Sequence, residues 1–155
     1  MALHVLRRRQ FLPLPRTEAF EFFADATNLE EITPPWLNFR IVTPTPIDLR
    51  TGAVIDYKLS WRGIPIAWTT EIRKWNPPYE FVDTQIRGPY QLWHHTHKFE
   101  EVDGGTMMTD VVWYKVPGGP LGEIIHKMQV KRDVRKIFDY RYHRIGTLLA
   151  CPECV

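Results

Sequence analysis

A chain of 155 residues with 44% hydrophobic and 13% aromatic content suits one folded domain, not a disordered segment. A net charge of +2 is too small to point to nucleic acid. No apolar run approaches the roughly 18 residues of a membrane-spanning helix, and the charge after the short apolar start, at Arg7, Arg8 and Arg9, is the wrong order for a secretory signal.

Residues 3–12 favour a first strand that ends before Pro13, with Arg7 and Arg9 on one face and Arg8 on the other. Leu14-Pro15 opens a helix over 15–24, because Pro suits a first turn and Glu18 suits the positive helix end. Ala19, Phe20 and Phe23 recur at helical spacing and should face the core. A second short helix, 28–32, stops before Thr33-Pro34-Pro35.

The pattern then turns to β. Candidate strands are Asn38–Thr43, Val54–Arg62, Ile64–Trp75, Glu80–Arg87, Tyr90–Val102 and Thr106–Val116. Gly52, Gly63, Pro77-Pro78, Gly88-Pro89 and Gly104-Gly105 punctuate them, and the short links imply antiparallel neighbours. A two-residue turn at Asp103-Gly104 sets His97 opposite Asp110. A one-residue shift at each end sets Phe99 there instead and keeps the same faces together.

From Leu121 to about Leu149 runs a drifting apolar stripe, read as one long helix of roughly 40 Å. Its basic side carries Lys127, Lys131, Arg132, Arg135, Lys136, Arg141 and Arg144. That side is expected to be solvated, with contact to an acidic membrane surface as the alternative. The whole is an α+β fold: about seven antiparallel strands in a curved sheet gripping a C-terminal helix, with two short helices after the first strand. Residues 1–150 form one domain and 151–155 a tail. The only cysteines, Cys151 and Cys154, sit in that tail and cannot staple the body, so a reducing cytoplasm is the expected home.

One hairpin gathers the chemistry. Trp93, His95, His97 and Phe99 share one strand face, and Thr106, Met108, Asp110, Val112 and Tyr114 share one face of the return strand. Two histidines and an aspartate beside bulky apolar groups suit a pocket wall. They also suit a satisfied buried network. His95 or His97 with Asp110 could move protons. Two histidines and a carboxylate could also hold zinc or iron, but no metal or cofactor is expected. Trp68 and Thr70 share a face of the fourth strand, Trp75 having the other parity. Phe81, Asp83 and Gln85 share a face of the fifth strand, which apolarity alone does not orient.

The chain resembles the START-like, helix-grip superfamily, which includes the birch-pollen allergen, polyketide cyclase/dehydrase and coenzyme-Q-binding proteins. The resemblance covers about residues 3–149. It rests on Asn28-Leu29-Glu30 with Thr33-Pro34-Pro35, Trp75-Asn76-Pro77-Pro78 with Phe81-Val82-Asp83, Gly88-Pro89-Tyr90 with Trp93 to Phe99, and Gly104-Gly105-Thr106 through Leu121-Gly122. It implies an apolar cavity between sheet and last helix holding a lipid, polyketide, sterol or quinone, and favours Phe81, Asp83 and Gln85 pointing inward. The expected lining is Trp68, Thr70, Asp83, Gln85, Trp93, His95, His97, Asp110 and Tyr114. A carrier and a cyclase- or dehydrase-type enzyme both remain open, as does a protein- or membrane-binding module. The expected partner is a hydrophobic small molecule.

Overall fold

The computed structural model describes residues 2–149, so Cys151 and Cys154 lie outside the described residues. Strand β1 (His4–Leu12) is followed by helices α1 (Arg16–Ala24) and α2 (Asn28–Glu31) and a 3-10 turn, Pro35–Leu37. Six strands come next: β2 (Arg40–Ile41), β3 (Val54–Trp61), β4 (Ile64–Asn76), β5 (Glu80–Arg87), β6 (Leu92–Val102) and β7 (Gly105–Lys115). Helix α3 (Gly119–Ile125), a π turn (His126–Val130) and α4 (Lys131–Leu148) end the chain. The strands form one antiparallel sheet in the order β1-β7-β6-β5-β4-β3-β2. This is the expected α+β helix-grip architecture.

Period-two burial organises the sheet. In β7, Thr106, Met108, Asp110, Val112 and Tyr114 are buried, and the intervening residues are half-buried. The Asp103-Gly104 turn places His97 opposite Asp110 and Phe99 opposite Met108. Gly104 takes φ 82°, a conformation glycine adopts at no steric cost. One strand is shorter than expected: β2 pairs over two residues where 38–43 was expected.

Two departures reshape the cavity side. The register of β4 against β5 shifts between Ile72 and Lys74. That bulge reverses the alternation, so Trp75 joins Ile72 on the core side and packs on Phe20 and Phe81. The C-terminal helix is also not one continuous α-helix over 121–149. It starts at Gly119, with Pro120 in the first turn, and its π turn holds extra residue per turn. The apolar stripe is therefore offset across that turn. Leu121, Ile124 and Met128 are exposed, whereas Val134, Phe138 and Ile145 are buried.

The same offset corrects the reading of Arg141. It does not belong to the solvated basic side. Val134, Phe138, Arg141 and Ile145 recur at spacings of four, three and four, and all four are buried. Outer charges of α4 pair with the body: Asp139 with Arg8 at 2.9 Å, and Arg144 with Glu31 at 3.2 Å.

The core divides into three clusters. Phe20 and Phe23 of α1 meet Phe81, Phe99, Met108 and Ile145 at one end. Val112, Tyr114 and Val116 meet Val134 and Phe138 at the other. Ile55, Tyr57 and Ala26 form the third. Between them the sheet and α4 stand apart. No helix among the described residues is long and apolar enough to cross a membrane.

Candidate functional site

The space between sheet and helix is a cavity of about 450 Å³, within the usual range for small-molecule sites. Its walls are mainly apolar and aromatic, among them Ile55, Leu59, Trp68, Trp93 and Phe138. Trp68 and Trp93 meet edge to face at 5.4 Å. The Trp68 Nε1–H donates to Thr70 Oγ1 at 3.0 Å, so a polar atom is satisfied without facing the apolar wall alone.

Of the nine residues expected to line a cavity, Trp68, Thr70, Asp83, Trp93, His95 and His97 border this one. Phe81 and Asp83 both reach it, which resolves the orientation of β5. Three do not border it. Gln85 is turned to the β5–β6 link, where its amide donates to Tyr90 O at 2.7 Å and accepts from Tyr90 N at 3.1 Å. Tyr114 shares a hydrogen bond with His126 Nε2 at 2.8 Å. Asp110 stands behind the two histidines.

The histidine cluster is a closed set of charge contacts. His95 Nε2 lies 2.8 Å from Asp110 Oδ1, and His97 Nε2 lies 2.6 Å from Asp83 Oδ2. His97 Nδ1 lies 3.2 Å from Asp110 Oδ1, an ion-pair contact too bent for a hydrogen bond. His95 Nδ1 lies 3.9 Å from Asp83 Oδ2. The rings stack at 3.6 Å, and Phe81 stacks on the other face of His97 at 3.9 Å. Arg141 Nη2 stands 3.8 Å from Asp110 Oδ1.

Burial and partners set the protonation pattern. Burial opposes the charge on Asp110, but Arg141, His95 and His97 hold its carboxyl well below the usual range. Asp83 is likewise lowered against burial, mainly by His97 and His95. Burial lowers His95, with the neighbouring His97 adding to the effect. Burial also works against a charged His97, yet its contacts with Asp110 and Asp83 win and its pKa is raised. Two carboxylates then face one guanidinium and two imidazoles, of which His97 takes up a proton more readily than His95. Burial pushes the Tyr57 and Tyr90 phenols up, so both stay neutral.

Two triads each bring three possible metal ligands together: Asp83 with His95 and His97, and His4 with Glu123 and His126. In each, the imidazoles stack face to face, at 3.6 Å and 29° in the first and at 3.6 Å and 20° in the second. Nitrogen lone pairs lie in the ring planes, and near-parallel planes do not converge within the roughly 2 Å of a metal–nitrogen bond. As arranged, neither triad fits a metal ion.

Sequence reasoning missed Arg141, the second triad, and Asp133, which accepts from Trp61 Nε1 at 2.8 Å on the cavity wall. For Arg141 a signal existed, since it falls on the inward stripe between Phe138 and Ile145.

The family model described as polyketide cyclase / dehydrase and lipid transport matches residues 12–139. No curated protein matches the chain. Among solved structures, protein Ms6760 from Mycobacterium smegmatis is 21% identical, with a TM-score of 0.68 and 96% of each chain covered. Ara h 8.0201 is 19% identical, with a TM-score of 0.64, 94% of this chain and 99% of that one covered. The di-domain ARO/CYC StfQ from the steffimycin biosynthetic pathway is 12% identical, with a TM-score of 0.74, 99% of this chain and 52% of that one covered. At these identities the likeness speaks for the fold.

Proposed function

The chain belongs to the polyketide cyclase/dehydrase and lipid transport family, and on that premise we propose that it binds one hydrophobic small molecule between its sheet and C-terminal helix. The observation that carries this reading is the 450 Å³ cavity, walled by Ile55, Leu59, Trp68, Trp93 and Phe138. Apolar walls supply affinity, at about 25 cal/mol for each Å² removed from water. The few polar groups on one side orient the ligand. The lone pair of cysteines in the tail is consistent with a reducing, cytoplasmic setting.

At His97, binding is favoured over acid–base catalysis by the same cluster. A general acid needs an N–H within reach of the substrate. His97 has Nε2 against Asp83, and its Nδ1 is buried over Asp110, so neither nitrogen reaches into the cavity. His97 therefore acts as part of a polar wall.

Titration with the neutral probe N-phenyl-1-naphthylamine tests the reading. Saturable binding at one site, with quenching of Trp68 and Trp93 fluorescence, is the expected result. A linear, unsaturable signal from the folded protein overturns it.

A further inference from the structure

We propose that the ligand of this cavity is an apolar acid, whose carboxylate or enolate oxygen pairs with the guanidinium of Arg141. The proposal rests on the cavity reading above and names the class of molecule that fills it.

Arg141 projects from the inner side of α4 and is 8% exposed, yet it borders the cavity. A guanidinium is always charged and carries five N–H donors. Inside this protein those donors find little. The nearest acid, Asp110, is 3.8 Å from Nη2, beyond hydrogen-bond reach. Its Oδ1 is already taken by His95 at 2.8 Å and approached by His97 at 3.2 Å. The Arg141 Nε is buried with no hydrogen-bond partner among the described residues. One face of the guanidinium lies over the Phe23 ring at 5.6 Å.

The other acids around the cavity are committed elsewhere. Asp83 is held by His97 at 2.6 Å. Asp133 accepts from Trp61 at 2.8 Å and from Arg62 at 3.2 Å. Asp25 accepts from Thr27, through its backbone N–H at 3.0 Å and its hydroxyl at 2.6 Å. The cavity thus presents a guanidinium whose donors are unspent, beside walls that are mainly apolar.

A buried charged group without hydrogen bonds is costly, and an anionic oxygen is the partner that offsets this most. The planar fork of Arg suits a carboxylate or an enolised dicarbonyl, which offer two oxygens in one plane. An alcohol of the same shape offers one neutral acceptor. A cationic head meets Arg141 as a like charge. The body of the ligand then lies along Trp68, Trp93, Ile55 and Leu59, where apolar surface is matched by apolar surface.

Isothermal titration calorimetry of the native protein with dodecanoate, dodecanol and dodecyltrimethylammonium, each below its micelle concentration, tests this. Dodecanoate is expected to bind at least tenfold more tightly than dodecanol, with the ammonium weakest. Dodecanol equal to or tighter than dodecanoate overturns the proposal while the cavity reading stands. Failure of all three to bind also overturns it, and N-phenyl-1-naphthylamine then shows whether the cavity reading falls too. In Arg141→Gln the acid-to-alcohol affinity ratio is expected to drop at least fivefold, and in Arg141→Lys to drop less. An unchanged ratio in folded Arg141→Gln overturns the assignment to Arg141. The native comparison decides the ligand class even where the Gln variant does not fold.

Discussion

His97 lies directly across from Asp110 in the β6–β7 register, yet its shortest contact, 2.6 Å, is to Asp83, which lies across from His95. His95 does the converse and takes Asp110 at 2.8 Å. The pairs are diagonal, a reach that side chains two residues along a facing strand allow. Each carboxylate therefore serves both rings, and the stacked imidazoles act as one unit.

Replacing either acid should reach His97. In Asp83→Asn, His97 loses its 2.6 Å charged partner, and burial is opposed only by Asp110. In Asp110→Asn the reverse holds, and Arg141 also loses its nearest anion. The His97 pKa should fall in both variants, as followed by NMR of its ring protons. A pKa that stays at the native value in both variants would show that the rings titrate independently of these acids. Stability should fall as well, by about 3–5 kcal/mol where a buried pair is broken by Asp110→Ala, read from urea unfolding.

Tyr114→Phe separates two roles for one residue. Sequence parity put Tyr114 on a pocket wall. The structure places its hydroxyl on His126 Nε2, whose Nδ1 is already buried without a partner. Removing the hydroxyl leaves His126 with no hydrogen bond from either nitrogen, a loss of about 1–3 kcal/mol. Affinity for N-phenyl-1-naphthylamine should stay within about twofold. A large loss of affinity with stability intact would return Tyr114 to the cavity.

Gly105→Ala tests the β1–β7 seam. A Cβ there would run into the backbone carbonyl of Leu12 and the ring of Phe11. The Phe11 ring can swing aside, but the Leu12 carbonyl is backbone, so the strands must separate. Overpacking of this kind costs roughly 1–3 kcal/mol, to be measured as a lowered urea midpoint. A neutral result would mean that β1 docks more loosely than its register implies.

Most of the fold was legible because its punctuation is local. Asp103-Gly104 sets a hairpin register that period-two alternation then extends for ten residue pairs beyond the turn-closing one. What stayed hidden depends on insertions in those periods. The Ile72–Lys74 bulge turned Trp75 inward, and the π turn at His126–Val130 shifted the helix stripe. Arg141 was misplaced for a different reason. A charged residue is assigned to solvent by default, and only the four-three-four spacing with Phe138 and Ile145 argued otherwise. The diagonal histidine pairing lies beyond any register argument, because side-chain reach rather than strand pairing selects the partner.

The pH dependence of stability carries the final prediction, because the two histidines pull in opposite senses. His97 has a folded pKa raised above the unfolded value of 6.5. Its contribution is fully present below pH 6.5 and is lost as pH rises through the folded pKa. His95 is lowered from 6.5, so the folded state resists its protonation. Its contribution is present above pH 6.5 and is lost as pH falls toward the folded pKa, and His126 acts in the same sense. Asp83 and Asp110, both lowered, add a further loss as pH falls below the usual carboxylate value of 3.8. Stability measured by urea unfolding should therefore peak near pH 6.5 and decline on both sides. His97→Gln should remove the decline on the alkaline side, and His95→Gln should soften the one on the acid side. A profile that rises steadily from pH 5 to pH 9 in the native protein would mean that His97 is buried neutral, and the charged wall argued for the cavity would lose its imidazolium.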